Sequence, residues 1–135
     1  MPEIEYVQEL MPTEELLDTL CPPVRNWFKD TFPDFTEPQN MAIPRILNGE
    51  HVLLCSPTGS GKTRAAVLPL LDGRIDENWT GLSILYITPL RALNRDVDRR
   101  MRWLAEEVGL RVGLRHGDTS QNERQKQERR PNKTL

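Results

Sequence analysis

At 135 residues the chain has the size of one domain, or of a piece of a larger one. Hydrophobic residues are 37% and charged residues 28%, enough for a core, while no apolar run approaches the roughly 20 residues that span a bilayer. The net charge of −2 divides into −7 over residues 1–40 and +5 over residues 41–135, a mildly basic body compatible with a phosphate-rich partner without demanding one.

Residues 1–11 read as a loose acidic leader, without the basic and then apolar pattern of a secretion signal. Cys21 and Cys55 are far apart and lack metal-ligand spacing, which fits reduced thiols in the cytoplasm. Thr13 is placed to cap a short helix through Leu20, with Glu14 and Glu15 near its N-terminus, and Cys21-Pro22-Pro23 stops it. Val24, Trp27 and Phe28 then recur at helical spacing, predicting a second helix to about Thr31. Thr36 and Gln39 have capping-box spacing at the start of a helical pattern that runs to Asn48. Pro44 is expected to kink or split that helix, and Gly49 to close it.

An apolar run, Val52-Leu53-Leu54-Cys55, leads into Ser56-Pro57-Thr58-Gly59-Ser60-Gly61-Lys62-Thr63 and then into a helix over 62–71, frayed at Pro69. Strand, loop and helix in this order suit a triphosphate: glycines let the backbone approach it, and successive N–H groups face the anion. Lys62 would reach the outer phosphates, and the Thr63 hydroxyl would sit on a phosphate-bridging Mg²⁺. Ser56 stands where the G-x-x-x-x-G-K-[ST] pattern has its first glycine.

Asp72 to Gly81 reads as a polar surface loop, and Leu82 to Thr88 as a strand covered on both faces. After Pro89, Leu90, Leu93, Val97, Met101, Leu104 and Val108 form one buried helical stripe, ended by Gly109. Arg111 to Arg115 reads as a third strand and His116 to Thr119 as the turn leaving it. Gln121 to Arg130 has no apolar stripe and is either a solvated helix or a disordered tail, and Lys133 to Leu135 could open a fourth strand. Alternation of strands and helices argues for βαβ units, hence an α/β fold with a parallel sheet.

The ordered motifs resemble those of superfamily 2 DEAD/DEAH-box-type helicases, most of all the large helicase-related (Lhr-like) branch. The resemblance is carried by Phe35-Thr36-Glu37-Pro38-Gln39, by Ala42 to Gly49, by Ser56 to Thr63, by Leu85 to Leu93 and by Arg115 to Thr119 with Arg124. It implies an incomplete RecA-like domain over residues 28–135, preceded by an acidic lead-in over 1–27. It implies ATP and Mg²⁺ as cofactors. Gln39 would then read the adenine edge with Phe32 or Phe35 near the base, while Pro57, Thr58, Gly59, Ser60, Gly61, Lys62 and Thr63 hold the phosphates. Thr88, Pro89, Leu90 and Arg91 would touch one nucleic-acid strand through its backbone, with Arg95 beside them and Gly117, Asp118 and Thr119 as a neighbouring turn. A helix N-terminus after Pro89 gives that role a physical reason.

Arg91, Arg95, Arg99 and Arg102 share one side of the following helix. A basic stripe tracking phosphates is one reading, but Asp96, Asp98, Glu106 and Glu107 partly neutralise it, so Arg99 and Arg102 read as a solvated face while Arg91 and Arg95 stay functional candidates. His51 and His116 form no metal pair, no Ser/His/Asp arrangement is legible, and Trp27, Trp79 and Trp103 are too scattered for a stacking platform. A motor of this family also needs an Asp-Glu-x-x motif and a second domain with an arginine finger, neither of which appears by Leu135. The chain alone is therefore expected to bind nucleotide weakly, without hydrolysis or unwinding. It is also expected to be marginally stable or to self-associate, because three strands leave an open sheet edge. Two other readings stay open: a different phosphate-loop enzyme, such as a small kinase or transporter ATPase, and a non-catalytic binding remnant.

Overall fold

The computed structural model describes residues 3–87, 99, 102, 103, 105–107, 109, 110, 112, 113 and 121–129. The chain forms two compact units, Met1–Asp76 and Glu77–Leu135. The first contains α1 (Thr13–Thr19), α2 (Pro22–Thr31), α3 (Glu37–Leu47) and α4 (Lys62–Asp76). The α3–α4 pair is its main packing interface, with α1 set against α3 and α2 against α4.

Among the described residues, Leu16, Leu20, Val24, Phe28, Ile43, Val67, Leu68 and Leu71 are the largest fully buried side chains; Leu20 is the C-cap of α1 and the others lie on these four helices. Each apolar side chain of this size stabilises by about 1.5–3 kcal/mol when buried.

The helix ends are fixed by identifiable partners. Pro12, not Thr13, occupies the N-cap position of α1, with no side-chain cap, and the Thr13 hydroxyl instead donates to Asp34. The C-terminal carbonyls of α1 are covered by Arg25, which donates to Leu17 O at 2.9 Å and to Leu20 O at 2.8 Å. Pro22 and Pro23 then stand at the start of α2, where a missing N–H costs nothing.

α3 is not split by Pro44: it continues to Leu47, and Asn48 N donates to Pro44 O at 3.1 Å. It closes as a Schellman motif, with Gly49 N donating to Ile46 O and Glu50 N to Arg45 O, and Gly49 at φ +77°. α4 likewise passes through Pro69 and ends at Asp76 instead of fraying near residue 71. Asp72 and Arg74 are therefore helical and buried, not parts of a surface loop.

Tertiary contact explains Asp72: its Oδ1 accepts from Cys21 N at 2.6 Å, at the N-cap of α2. The leader is likewise tied down where it meets α1. Asn40 accepts from Met11 N at 2.8 Å and donates to Met11 O at 2.7 Å, so at Met11 it is not loose.

Among the described residues no β-ladder is formed, and 51–55 and 82–87 carry neither helix nor strand. Ile84 is buried, but Leu85 and Ile87 are 70% and 82% exposed, so the coverage expected for 82–88 on both faces is not met at those positions.

In the second unit, residues 99, 102, 103 and 105–107 are helical. That helix stops at Gly109 as expected, with φ +80° and Leu110 N donating to Ala105 O at 2.7 Å. Its apolar stripe lies outside the described residues, while Arg99 and Arg102 are exposed, as a solvated face requires. α5 (Gln121–Arg129) is a helix whose described side chains are mostly exposed, which decides between the two readings of that segment.

Candidate nucleotide site

The loop between residues 55 and 62 is organised by its own hydroxyls. Ser56 Oγ donates to Ser60 Oγ at 2.6 Å, and Ser60 Oγ donates to Pro57 O at 2.6 Å. Ser56, the departure from the phosphate-loop pattern, thus supplies a side-chain bond that a glycine could not. Pro57, Thr58 and Gly59 are exposed at the turn. Gly59 has φ +83° and open space where a Cβ would stand, so backbone can approach a ligand there.

Gly61 has φ +84°, and a Cβ on it would run into the Gln39 amide. Its carbonyl accepts from Ala65 N at 3.0 Å, the first bond of α4. A glycine at this position brings no side chain to cap the helix, so the N–H groups of the first turn face outward with the positive end of the helix dipole.

Lys62 is exposed and donates from Nζ to Ser56 O at 2.6 Å. Its ammonium therefore sits at the mouth of the loop, and would exchange a carbonyl for a phosphate oxygen. Thr63 follows in the first turn of the same helix, half-buried.

Gln39 is 4% exposed, and its amide is used twice. Oε1 accepts from Thr36 N at 3.0 Å, completing a capping box with Thr36 Oγ1, which accepts from Gln39 N at 3.4 Å. Nε2 donates to Gly61 O at 3.3 Å. Thr36 Oγ1 also donates to Ser60 O at 2.7 Å. The capping reading of Gln39 is thus correct, and the same amide touches the phosphate loop.

Phe35 lies flat on Phe28, with centroids 4.0 Å apart and planes at 13°, so one of its faces is taken. Phe32 carries the Arg64 guanidinium over its ring at 4.4 Å. Asp34, between the two phenylalanines, is held below the usual carboxylate range, first by the Thr13 hydroxyl and then by the Phe35 N–H it accepts from.

The structure thus brings Gln39, Ser60 and Gly61 together, and places Lys62 and Thr63 in the turn that follows. Thr88, Pro89, Leu90, Arg91, Arg95, Gly117, Asp118 and Thr119 lie outside the described residues. The sequence reading missed three contributors: the second bond of Thr36, the Ser56 hydroxyl and Arg64. Only Ser56 carried a local signal, its departure from the pattern. Among the described residues no group of three or more His, Cys, Asp or Glu side chains could hold a metal.

A glycine-bearing loop that opens a helix with Lys and Thr in its first turn has the arrangement of the phosphate-loop pattern. The chain belongs to the DEAD/DEAH box helicase family, whose model matches residues 36–134. It is 36% identical over 148 residues to the ATP-dependent helicase Lhr-Core of Methanocaldococcus jannaschii, an alignment covering 97% of this chain and 18% of that protein. It is 41% identical over 133 residues to the ATP-dependent helicase Lhr-Core of Sulfolobus acidocaldarius, covering 89% of this chain and 15% of the relative.

Among solved structures, helicase Lhr of Mycobacterium smegmatis bound to ssDNA and AMP-PNP matches with a TM-score of 0.76 and 35% identity, over 89% of this chain and 17% of that one. The RNA-helicase Prp28 of Chaetomium thermophilum bound to ADP matches with a TM-score of 0.76 and 27% identity, over 95% of this chain and 32% of that one. These neighbours are RecA-like helicase domains. The chain thus spans less than a fifth of the length of the Lhr-Core relatives.

Proposed function

We propose that this chain is the ATP-binding segment of an ATP-dependent nucleic-acid helicase, residues 28–135 being the N-terminal portion of its first RecA-like motor domain, with residues 1–27 leading in. The observation that carries this reading is the junction of Gln39 with Gly61 O, next to a loop that opens α4 with Lys62 and Thr63. An adenine-reading amide and a phosphate cradle on one junction suit ATP better than a bare phosphate-loop enzyme, which needs no such glutamine.

In this reading the α4 N–H groups and Lys62 bind the β- and γ-phosphates, Thr63 holds Mg²⁺, and Gln39 meets the adenine edge. Bound Mg²⁺ neutralises the charge that develops in phosphoryl transfer. The parallel sheet expected from the alternating pattern of the complete motor domain would present its C-terminal edge to ligands, where open α/β folds place them. Thr88, Pro89, Leu90, Arg91 and Arg95, with Gly117, Asp118 and Thr119, contact the backbone of a nucleic-acid single strand, as the ssDNA-bound Lhr neighbour encourages. A cytoplasmic location fits, and no helix among the described residues is long and apolar enough to cross a membrane.

Alone, the chain binds Mg·ATP without turning it over, because the Asp-Glu motif and the arginine finger are not among its residues; the finger by itself is worth about 10³–10⁵ in rate. The test is calorimetric titration with Mg·ATP together with a steady-state phosphate-release assay. Saturable binding that Lys62→Ala weakens by about 50-fold is expected, the loss of one charge-assisted contact. Failure to bind, or phosphate release abolished by Lys62→Ala, would each overturn part of the reading.

A further inference from the structure

Three contacts join the base-side segment 32–39 to the phosphate-side segment 60–64. Thr36 Oγ1 donates to Ser60 O at 2.7 Å, Gln39 Nε2 donates to Gly61 O at 3.3 Å, and the Arg64 guanidinium lies 4.4 Å from the centroid of Phe32. The first two end on carbonyls of the loop. The third runs from side chain to side chain and uses no atom of it. We propose that the Arg64–Phe32 stack is a positioning device for base selection, holding the base-side segment in register with the phosphate loop so that nucleotides are sorted by their base. The inference rests on the nucleotide-binding reading above.

The reason lies in how the other two contacts are shared. The Gln39 amide is engaged on both sides, by Thr36 N and by Gly61 O. These use one of the two lone pairs of Oε1 and one of the two N–H groups of Nε2, which leaves one acceptor and one donor for an adenine edge while both bonds stand. Thr36 Oγ1 likewise accepts from Gln39 N while donating to Ser60 O. Reading a base therefore requires the two segments to keep the register in which these polar links stand. The Arg64–Phe32 stack shares no atom with either side chain and holds the same register independently of them.

Phe32 is itself well anchored. It meets Trp27 edge-on at 5.7 Å and 68°, and Phe28 at 5.4 Å, and Pro33 restricts the backbone that follows. Arg64 stands two positions after Lys62 on α4, about 200° around the helix. The two cations thus face different ways, one to the loop mouth and one to the aromatic cluster. A planar guanidinium is the cation suited to lie flat on a ring, and a lysine ammonium is a poorer fit.

The test uses the full 135-residue chain in calorimetric titrations with Mg·ATP, Mg·CTP and Mg·tripolyphosphate. Arg64→Met is expected to weaken Mg·ATP by about five- to tenfold, the effect of a part-buried cation–π contact. It should leave Mg·tripolyphosphate unchanged and narrow the ATP-to-CTP ratio. Arg64→Lys should fall between wild type and Arg64→Met. Phe32→Leu should reproduce the Met variant, and the double variant should add little to either.

Equal weakening of Mg·ATP and Mg·tripolyphosphate would make Arg64 a phosphate-side cation and overturn the proposal. So would an unchanged ATP-to-CTP ratio, including one accompanied by a lowered thermal midpoint, which would mark the stack as merely structural. If wild type binds neither Mg·ATP nor Mg·tripolyphosphate, the nucleotide reading itself fails and takes the proposal with it, a result distinct from both others.

Discussion

The starts of α3 and α4 solve the same problem in opposite ways. Every helix begins with N–H groups that lack intrahelical partners. At α3 two of them are closed internally, by the reciprocal Thr36–Gln39 capping box. At α4 the preceding residue is Gly61, whose φ of +84° and missing side chain leave the first turn open. One start is finished for stability, and the other is left open, which the proposed function assigns to an anion. The two touch through Thr36 to Ser60 O and Gln39 to Gly61 O, so the finished helix holds the open one in place. Substitutions around α3 should therefore register mainly in stability, and substitutions in the loop mainly in binding.

The sharpest way to break the contrast is at their junction. Gly61→Ala places a Cβ at positive φ and against the Gln39 amide, so it should damage both properties. A loss of about 3 kcal/mol in urea-unfolding stability is expected, together with loss of detectable Mg·ATP binding. Ordinary binding and stability in this variant would mean that the close approach at Gly61 is dispensable.

Asp72 tests the stability side from a distance. Its carboxylate accepts from the N-cap N–H of α2, inside the core. Asp72→Ala should cost about 2 kcal/mol by chemical denaturation, through an uncapped helix and an unsatisfied buried donor. The affinity for Mg·tripolyphosphate should move little, since the loop keeps its own bonds.

Thr36→Ala is the next smaller perturbation. It removes half of the capping box and the bond to Ser60 O, for an expected loss of about 1 kcal/mol in stability. If the variant instead weakens Mg·ATP strongly at unchanged stability, the division of labour between the two starts is wrong.

The smallest effect concerns pH. Burial, and then the hydrogen bond to Asp72, push the Cys21 thiol from 9.0 up to about 11. Because the folded value lies above the unfolded one, the neutral thiol contributes stability that is fully present below pH 9.0 and lost as pH rises through about 11. Denaturation midpoints of wild type and Cys21→Ala should therefore run parallel to about pH 9 and converge above it. In Asp72→Ala the thiol should titrate lower than in wild type, yet stay raised, since burial is the larger cause. A wild-type thiolate that forms at the ordinary value would show that Cys21 is not enclosed as described.

Local chemistry was legible in the residues wherever the signal was short-range. The phosphate-loop pattern, the Thr36–Gln39 box, the Gly49 and Gly109 helix ends and α2 all follow from spacing, capping and turn preferences over a few positions, whereas local pattern leaves the helical state of 121–129 open. The prolines misled because propensity is a local cost that packing can offset. Pro44 and Pro69 each remove one backbone bond, yet α3 and α4 run through them, and Pro69 is itself buried. Asp72 and Arg74 looked like surface loop because charge usually means exposure, and nothing near them in sequence announces a partner 51 residues away at Cys21.

By itself, then, the sequence showed a phosphate-loop pattern at the start of a helix, a glutamine at capping-box spacing upstream of it, and motifs in an order that resembles the DEAD/DEAH box helicases. These are properties of backbone conformation and residue type within a few positions, and they are written in the chain directly. Only the tertiary structure decided that Gln39 and Thr36 end on Ser60 and Gly61, that Arg64 lies over Phe32, and that Asp72 caps α2. Those contacts join residues 22 to 51 positions apart, and packing alone chooses between partners at such separations.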